Sequence, residues 1–238
     1  MPSPSRSGLH AAAYEASSRL LLLLLRIPGL NGLVTPLAKV WLRHARLVQH
    51  IAVGAYDGVI DGGASIGEFA GLVRLALPSV PLLCVEPHPE SARVLRRRGF
   101  VVVEAALWSE SGTLRLIQPV DAVTSASVVL EDRADRRSFS VKAVRLDELP
   151  VSGRRLLVKL DLQGAELQAL AGMGELWNRC AAFLLEVSYG PSGTYETLRA
   201  LLHEKGFREA ATFNELVAGA LPVEADKLWV TTREQHGQ

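Results

Sequence analysis

Acidic residues stand at the ends of three short apolar segments, where they could bind a ligand or take a proton. Asp61 ends the first segment and precedes the glycine-rich sequence GGASIG, Glu86 ends the second, and Asp161 ends the third. In an open α/β sheet, ligands bind in the crevice beyond the carboxyl ends of the parallel strands. We therefore expect the three carboxylates to surround one crevice, with Glu86 accepting hydrogen bonds from a ribose diol.

The glycine spacing indicates which nucleoside ligand this crevice takes. A dinucleotide-binding turn reads Gly-x-Gly-x-x-Gly, but here one more residue separates Gly63 from Gly67, and Asp61 sits at the start of the turn. The glycines let the backbone come close to the ligand. A carboxylate in the turn would repel a pyrophosphate and suits a cationic amino-acid group. The pattern favours S-adenosylmethionine (SAM), and an NAD-dependent oxidoreductase is the competing interpretation.

Strand-like and helix-like segments alternate along the chain and could position these acids. The pattern predicts strands at 59–61, 82–86, 100–104, 156–161, 182–188, 207–213 and 227–232, and helices at 66–77, 90–98, 165–172 and 194–204. Such alternation is typical of a mostly parallel, doubly wound α/β sheet with helices on both faces. Segments 112–118 and 138–146 alternate with period two and are expected to form an antiparallel pair, on the sheet edge or over its mouth.

Composition and charge place the chain among ordinary globular proteins. Its 238 residues are 48% hydrophobic and 21% charged, and the net charge of +1 gives no reason to expect nucleic-acid binding. The first fifty residues hold six Lys and Arg but one acid. We predict a disordered N-terminus at 1–8, a helical appendage at 9–52 with helices near 10–26 and 33–50, and the ligand-binding domain at 53–238.

The appendage contains six consecutive leucines at 20–25, flanked by arginines. This run is too short to span a bilayer, which takes about twenty apolar residues. Packing on the domain, a homodimer contact, peripheral membrane contact through residues 10–50 and an organelle transit peptide are the alternatives. Cys84 and Cys180 lie in or beside apolar segments and are expected to be buried thiols, which fits a cytoplasmic location. No cysteine or histidine spacing indicates a metal site.

A set of motifs, in order, resembles one enzyme family. The sequence LVKLDLQGAEL at 157–167 resembles the "K-[IL]-D-[VL]-[EQ]-G-x-E" motif of the FkbM-type SAM-dependent methyltransferases. Residues 61–67 match that family's "D-x-G-A-x-x-G" motif, and 86–89 match "E-P-[NH]-P". Residues 105–112 resemble its "A-L-[SW]-x-x-x-G" turn, and 144–149 its "[VT]-x-x-L-D-x-L" element. The similarity covers roughly residues 55–232.

The resemblance implies a seven-stranded, Rossmann-like class I methyltransferase sheet with one antiparallel strand. It also implies an O-methyltransferase acting on a hydroxyl of a sugar, glycan or secondary metabolite; a degenerate, non-catalytic binding protein is the alternative. Glu104, at the end of the third strand, is expected near the adenine amino group. The expected cofactor-binding residues are Asp61, Gly63, Ala64, Ser65, Gly67, Glu86, Pro87, His88, Glu104, Ala105 and Asp161.

Methyl transfer to an alcohol requires precise positioning and removal of a proton. Asp161 is the first candidate for the base, Glu186 the second and His88 the third. Lys159 lies two residues before Asp161 and so on the same face of the strand. Tyr189 and Tyr195 are candidates for stacking on a ring of the acceptor, and ordinary packing is the alternative.

Overall fold

The computed structural model describes residues 47, 50–119, 127–128 and 136–232. The predicted disorder at 1–8 and nearly all of the predicted helices at 10–26 and 33–50 lie outside these residues. The proposed boundary between appendage and domain therefore stays a prediction.

Strands and helices follow one another much as the apolar periodicity predicts. The strands are β1 (Gly58–Gly62), β2 (Leu82–Val85), β3 (Val101–Val103), β4 (Ala106–Leu107), β5 (Gly112–Pro119), β6 (Ser127–Val128), β7 (Arg136–Val144), β8 (Leu156–Leu160), β9 (Cys180–Ser188), β10 (Phe207–Ala218) and β11 (Leu221–Thr231). The α-helices are α1 (Glu68–Ala76), α2 (Pro89–Arg97), α3 (Glu166–Ala171) and α4 (Tyr195–Glu204), and short 3-10 helices occupy Leu146–Glu148 and Gly174–Arg179. β10 and β11 extend well beyond the predicted 207–213 and 227–232.

Seven strands form one sheet in the order β10-β11-β9-β8-β1-β2-β3. β11 runs antiparallel to both β10 and β9, and the other pairs are parallel. The order reverses at β1, because the chain first builds outward through β2 and β3 and then returns to the other side of β1 with β8. This reversal is the switch point at which doubly wound sheets bind ligands.

The register at the switch point brings the acidic strand ends together. Asp61 of β1 pairs with Cys84 of β2 on one side and with Lys159 of β8 on the other. Glu86 and Asp161 each follow the last residue of the strands that flank β1. The register confirms the prediction that these acids lie at one edge of the main sheet.

The two period-two segments lie in a separate four-stranded sheet, in the order β4-β7-β5-β6. β5 and β7 pair antiparallel as predicted, and the two-residue β4 joins β7 in parallel. The sheet-edge alternative is wrong, since none of these strands pairs with the main sheet. Leu116 of β5 lines the cavity at the mouth of the main sheet, so the observed position is the other predicted one, over the mouth of the sheet.

Apolar side chains alternate between the two faces of the main sheet and bury helices on both. Ile60 and Val158 pack in a cluster with residues of α3 and α4, whereas Val59 and Leu157 pack in another with residues of α1. Cys84 is buried with α1 and α2. Both cysteines are buried free thiols, as predicted.

The described end of the N-terminal appendage packs against the domain. Leu47 and Ile51 are buried with Val59, Phe69 and Leu184. Burying these two side chains removes apolar surface from water at roughly 25 cal/mol per Å², which holds this segment against α1 and the sheet. No helix among the described residues is long and apolar enough to cross a membrane. Membrane or homodimer contact through residues 10–50 stays a prediction.

Candidate active site

A cavity of about 250 Å³ opens at the carboxyl ends of β1, β2 and β8. One part of its wall is apolar, and the rest carries polar groups from the turns after the three strands. The residues that line it include Gly63, Ser65, Val85, Glu86, Pro87, His88, Ala105, Leu107, Leu116, Asp161 and Gln163. A pocket with an apolar slot and a few convergent polar groups is the usual form of a small-ligand site.

Glu86 is held rigidly by backbone donors on both sides of the cavity. Its Oε2 accepts a hydrogen bond from the Ser65 N–H at 2.7 Å, and its Oε1 accepts one from the His88 N–H at 2.9 Å. Burial raises the pKa of Glu86, and these two backbone bonds oppose that rise. Each oxygen keeps a lone pair beyond its backbone bond. The side chain can therefore accept hydrogen bonds from a diol in the cavity.

The glycines of the first turn allow close contacts within the protein that a larger side chain would block. Gly63 has φ +70°, and a Cβ there would lie 1.9 Å from the backbone oxygen of Asp161. At Gly67, with φ +86°, a Cβ would lie 2.7 Å from Leu95 of α2. Gly67 thus lets the turn pack closely against α2. Gly63 lets the backbone come close to the turn after β8, and it also lines the cavity, where close approach to a ligand is expected.

Asp61 is fully buried and faces Lys159 rather than the cavity. Its Oδ1 lies 3.2 Å from Lys159 Nζ, an ion pair whose geometry is not that of an aligned hydrogen bond. Asp61 is predicted to meet a ligand ammonium group directly or through water. A direct contact does not fit this structure, because the carboxylate has no exposed surface. Instead, Asp61 holds Lys159 in place.

Lys159 connects the two turns that form the floor of the site. Its Nζ donates hydrogen bonds to the backbone oxygens of Gly62 and Gly63, at 3.3 and 3.0 Å, and lies 3.6 Å from Asp161 Oδ2. Burial alone would lower the pKa of Lys159, but the charges of Asp61 and Asp161 together raise it above its ordinary value. The ammonium group is thus a fixed positive charge behind the site.

Asp161 stands where the first cavity meets a second one of about 240 Å³. Gly63, Ser65, Glu68 and Asp161 line both cavities. The second continues along Ala64, Lys159 and Glu186 toward Leu47 and Asp226. A group placed at this junction can contact a ligand in either cavity.

Glu186 of β9 faces Asp161 across the second cavity. The Gln163 amide nitrogen lies 3.2 Å from Asp161 Oδ1 and 3.3 Å from Glu186 Oε2, and so joins the two carboxyl groups. Burial, followed by the charges of Asp161 and Glu224, raises the pKa of Glu186 to about 9. A pKa this high favours the protonated form of Glu186 at neutral pH, and in that form the group is a poor base and a good hydrogen-bond donor.

The remaining predicted residues of the first cavity form its wall. Pro87, His88 and Ala105 line it, and the His88 ring packs edge-on against Phe139 with ring centroids 5.5 Å apart. Ala64 lines the second cavity only. A wall with these apolar and ring side chains suits a purine ring. His88 lines the first cavity and not the second, which does not favour it as a base for an acceptor in the second cavity.

Glu104 needs correction, because the structure directs it to the surface. β3 ends one residue before it, and its Oε2 forms an ion pair of 2.7 Å with Arg96 of α2. It does not line either of the two cavities described above. The partner on α2 explains the outward orientation, so the wall near Ala105 has no carboxylate from this position.

Glu166 and the two candidate tyrosines have structural partners. Glu166 is buried and accepts hydrogen bonds from the Leu162 and Gly164 N–H groups, which stabilises the turn after β8. The Tyr189 and Tyr195 rings pack on each other with centroids 5.0 Å apart. The packing alternative for the tyrosines is the observed arrangement.

Gln163 is a residue of the site that sequence reasoning missed. It joins Asp161 to Glu186 and has φ +54°, and the predicted Ser65, whose N–H donates to Glu86, has φ +48°. Non-glycine residues in this conformation carry strain and cluster at functional sites. Each lies next to a glycine-rich turn directly after a strand, which is the pattern that would have drawn attention to it.

The residues present fit SAM. The apolar slot accommodates a purine, the free lone pairs of Glu86 suit a ribose diol, and the carboxyl groups at the junction suit a cationic sulfonium and amino-acid end. Among the described residues, no three His, Cys, Asp or Glu side chains form a group that could hold a metal ion.

Comparison with known proteins gives the family. The family model of the methyltransferase FkbM domain matches residues 53–209. "Methyltransferase sdnD" of Sordaria araneosa is 28% identical over 189 residues, covering 63% of this chain and 73% of that protein. "Methyltransferase 1" of Beauveria bassiana is 24% identical over 181 residues, covering 64% and 72%.

A solved structure agrees with these matches at the level of the fold. The methyltransferase FkbM of Methylobacillus flagellatus KT is 14% identical, with a TM-score of 0.50 over 94% of this chain and 60% of that one. The seven-stranded sheet with one antiparallel strand is the class I methyltransferase fold, and the family match decides against the NAD-dependent alternative. The chain belongs to the FkbM family of SAM-dependent methyltransferases.

Proposed function

We propose that this enzyme methylates a hydroxyl group of a sugar, glycan or secondary metabolite, with the acceptor in the second cavity. The observation that carries the proposal is the position of Asp161, which lines both the cofactor cavity and the second cavity. A carboxylate at that junction lies beside both reacting partners. An alcohol acceptor needs such a group more than a thiolate or a neutral amine does, because its proton must leave as the new bond forms.

The cofactor residues follow from the first cavity. Glu86 binds the ribose diol, Pro87, Ala105 and Leu116 enclose the purine, and Ser65 fixes Glu86 through its N–H group. SAM supplies an electrophilic methyl group on a sulfonium, and its transfer to a hydroxyl releases one proton. Asp161 accepts that proton. Positioning the hydroxyl in line with the methyl group supplies up to ~7–11 kcal/mol of the barrier reduction.

The walls of the second cavity support a hydroxyl-bearing acceptor. Asp161 and Asp226 are hydrogen-bond acceptors for hydroxyl groups, and the protonated Glu186 is a donor. Leu184, Phe69 and Leu47 provide an apolar floor. Polar groups on one side and apolar carbon on the other match the two faces of a sugar ring or an oxygenated metabolite.

Radiolabel transfer tests the proposal. The full chain is incubated with methyl-labelled SAM and a panel of simple glycosides, polyols, phenols and aliphatic alcohols, with amines and thiols as separate arms. We expect label in an O-methyl ether. Asp161→Asn should lower kcat by roughly 10²–10⁴-fold, whereas Glu196→Gln, an exposed acid on α4 paired with Arg199, should have no effect.

Two results would count against the proposal. Label found only on nitrogen or sulfur, with alcohols inert, would replace the hydroxyl by another acceptor class. SAM binding without transfer to any member of the panel would favour the degenerate, non-catalytic alternative. Full activity in Asp161→Asn would remove Asp161 as the base and leave the acceptor class standing.

A further inference from the structure

Lys159 makes an unusual number of contacts for one buried side chain. Its ammonium group contacts the Asp61 and Asp161 carboxylates and the backbone oxygens of Gly62 and Gly63. The β1–β8 register places it directly opposite Asp61. It therefore connects the turn that lines the cofactor cavity to the acid at the junction of the two cavities.

Asp161 and Glu186 form a pair whose two members have different neighbours. Asp161 has the Lys159 cation 3.6 Å away. Glu186 is the cross-strand partner of Asp226 in the β9–β11 ladder, and Glu224 follows two residues away on the same face of β11. The charged and titratable groups around the pair are Lys159, Asp61, Glu68, Glu166, Glu224 and Asp226. Of these, only Lys159 is a cation.

We propose that Lys159 is a positioning residue that keeps Asp161 as the ionised member of the Asp161–Glu186 pair, so that Asp161 receives the acceptor's proton and Glu186 holds the proton the two groups share. The proposal rests on the proposed O-methylation for its catalytic consequence. Its electrostatic content concerns the protein alone.

Two physical effects assign the proton in this way. When two carboxyl groups face each other in a partly buried cavity, like-charge repulsion raises the pKa of one of them and disfavours ionisation of both at neutral pH. The member next to a cation keeps its charge, and the member among other acids takes the proton. The raised pKa of Glu186, caused first by burial and then by the charge of Asp161, agrees with this assignment.

This assignment of the proton also provides one hydrogen-bond acceptor and one donor in the second cavity. If Glu186 and Asp161 were both carboxylates, the Gln163 amide, which contacts both, would bridge two negative charges. With the proton on Glu186, this side chain can donate to an acceptor oxygen while Asp161 accepts from the reacting hydroxyl. Lys159 thus determines which of the two carboxyl groups accepts a proton and which donates a hydrogen bond, without contacting the acceptor.

Carbon-13 NMR of the side-chain carboxyls tests the proposal on the full chain without SAM or acceptor. The Glu186 signal is assigned by its loss in Glu186→Gln. In the unaltered protein at pH 7 we expect it at the position of the protonated acid. In Lys159→Met it should move toward the carboxylate position, because Asp161 then competes for the proton, and in Lys159→Arg, which restores the charge, it should return.

A second variant keeps the test decisive if Lys159→Met does not fold. Asp161→Asn changes a half-exposed side chain, and it should lower the titration midpoint of Glu186 by roughly one to three pH units by removing the neighbouring charge. A Glu186 signal already ionised at pH 7 in the unaltered protein overturns the proposal. So does a midpoint unchanged in Asp161→Asn, or a signal unchanged in a folded Lys159→Met.

Kinetics then separate positioning from a purely structural role. Once a labelled O-methyl product is known, Lys159→Met should shift the acid limb of the kcat profile upward by roughly one to three pH units, and Lys159→Arg should move it back. Loss of activity without such a shift would overturn the positioning role. Failure of every alcohol to accept label, with the NMR result intact, refutes the O-methylation and not the proton assignment.

Discussion

Replacing Glu86 by Gln should weaken SAM binding through a change that can be followed atom by atom. Glu86 accepts one backbone N–H bond on each oxygen, from Ser65 at 2.7 Å and from His88 at 2.9 Å. The amide of glutamine has one oxygen, so it can satisfy one of these donors and must present its NH₂ group to the other. One N–H is left unpaired, and one lone-pair set for the ribose is lost.

The expected magnitude follows from these two losses. A hydrogen bond to a charged group contributes about 1.5–3 kcal/mol, and every 1.4 kcal/mol is a factor of ten, so SAM should bind about 10- to 100-fold more weakly. The unpaired buried N–H should lower the free energy of unfolding by about 1–3 kcal/mol. Isothermal titration calorimetry with SAM measures the first quantity, and urea unfolding measures the second.

Glu90 provides a matched control on the same stretch of chain. It is exposed in the first turn of α2, four residues beyond Glu86, so Glu90→Gln makes the same chemical change away from the cavity. We expect its SAM affinity to stay within twofold of the unaltered protein. The reasoning is refuted if Glu86→Gln binds SAM as tightly as Glu90→Gln does while both are folded.

Two further predictions concern stability. Gly63→Ala should lower the free energy of unfolding by more than ~3 kcal/mol, because its Cβ would meet the Asp161 carbonyl at 1.9 Å. Gly164 is also at positive φ but has open space around it, so Gly164→Ala should lower the free energy of unfolding by only about 1–2 kcal/mol. Equal losses of the two variants in urea unfolding would contradict this. Glu186→Gln should stabilise the protein by about 1–2 kcal/mol at pH 8 and not at pH 4, after allowance for the solvent screening of a partly exposed group. The sign follows because the folded protein keeps the Glu186 proton up to about pH 9, while the unfolded chain releases it near pH 4.5. The free energy of unfolding of the unaltered protein therefore falls as pH rises between these values. Urea unfolding of both proteins from pH 4 to 9 measures the difference in their free energies of unfolding, and a difference that does not change with pH would refute the raised pKa.

The main sheet was predictable from the sequence because its strands are short, apolar and separated by amphipathic helices. The alternation placed Asp61, Glu86 and Asp161 at strand ends, and a doubly wound sheet brings such ends together. The longer β10 and β11 were not predicted over their full length, since the residues near their turn, such as Leu216 and Leu221, are exposed and give no buried-strand pattern.

What the sequence could not supply is the choice of partners between distant segments. Glu104 follows an apolar strand just as Glu86 does, but Arg96 on the preceding helix directs it outward. The requirement for glycine at position 63 comes from the Asp161 carbonyl, on a strand far along the chain. The enclosure of Asp61 by Lys159 depends on the β1–β8 register, which a single sequence does not reveal.

A crystal structure with S-adenosylhomocysteine, the demethylated form of the cofactor, tests the central claim most directly. We predict density for the nucleoside in the first cavity, with the ribose hydroxyls within hydrogen-bond distance of Glu86, the purine beside Ala105 and the sulfur directed toward Asp161. Density for the nucleoside elsewhere, or in this cavity with the ribose away from Glu86, would contradict the account.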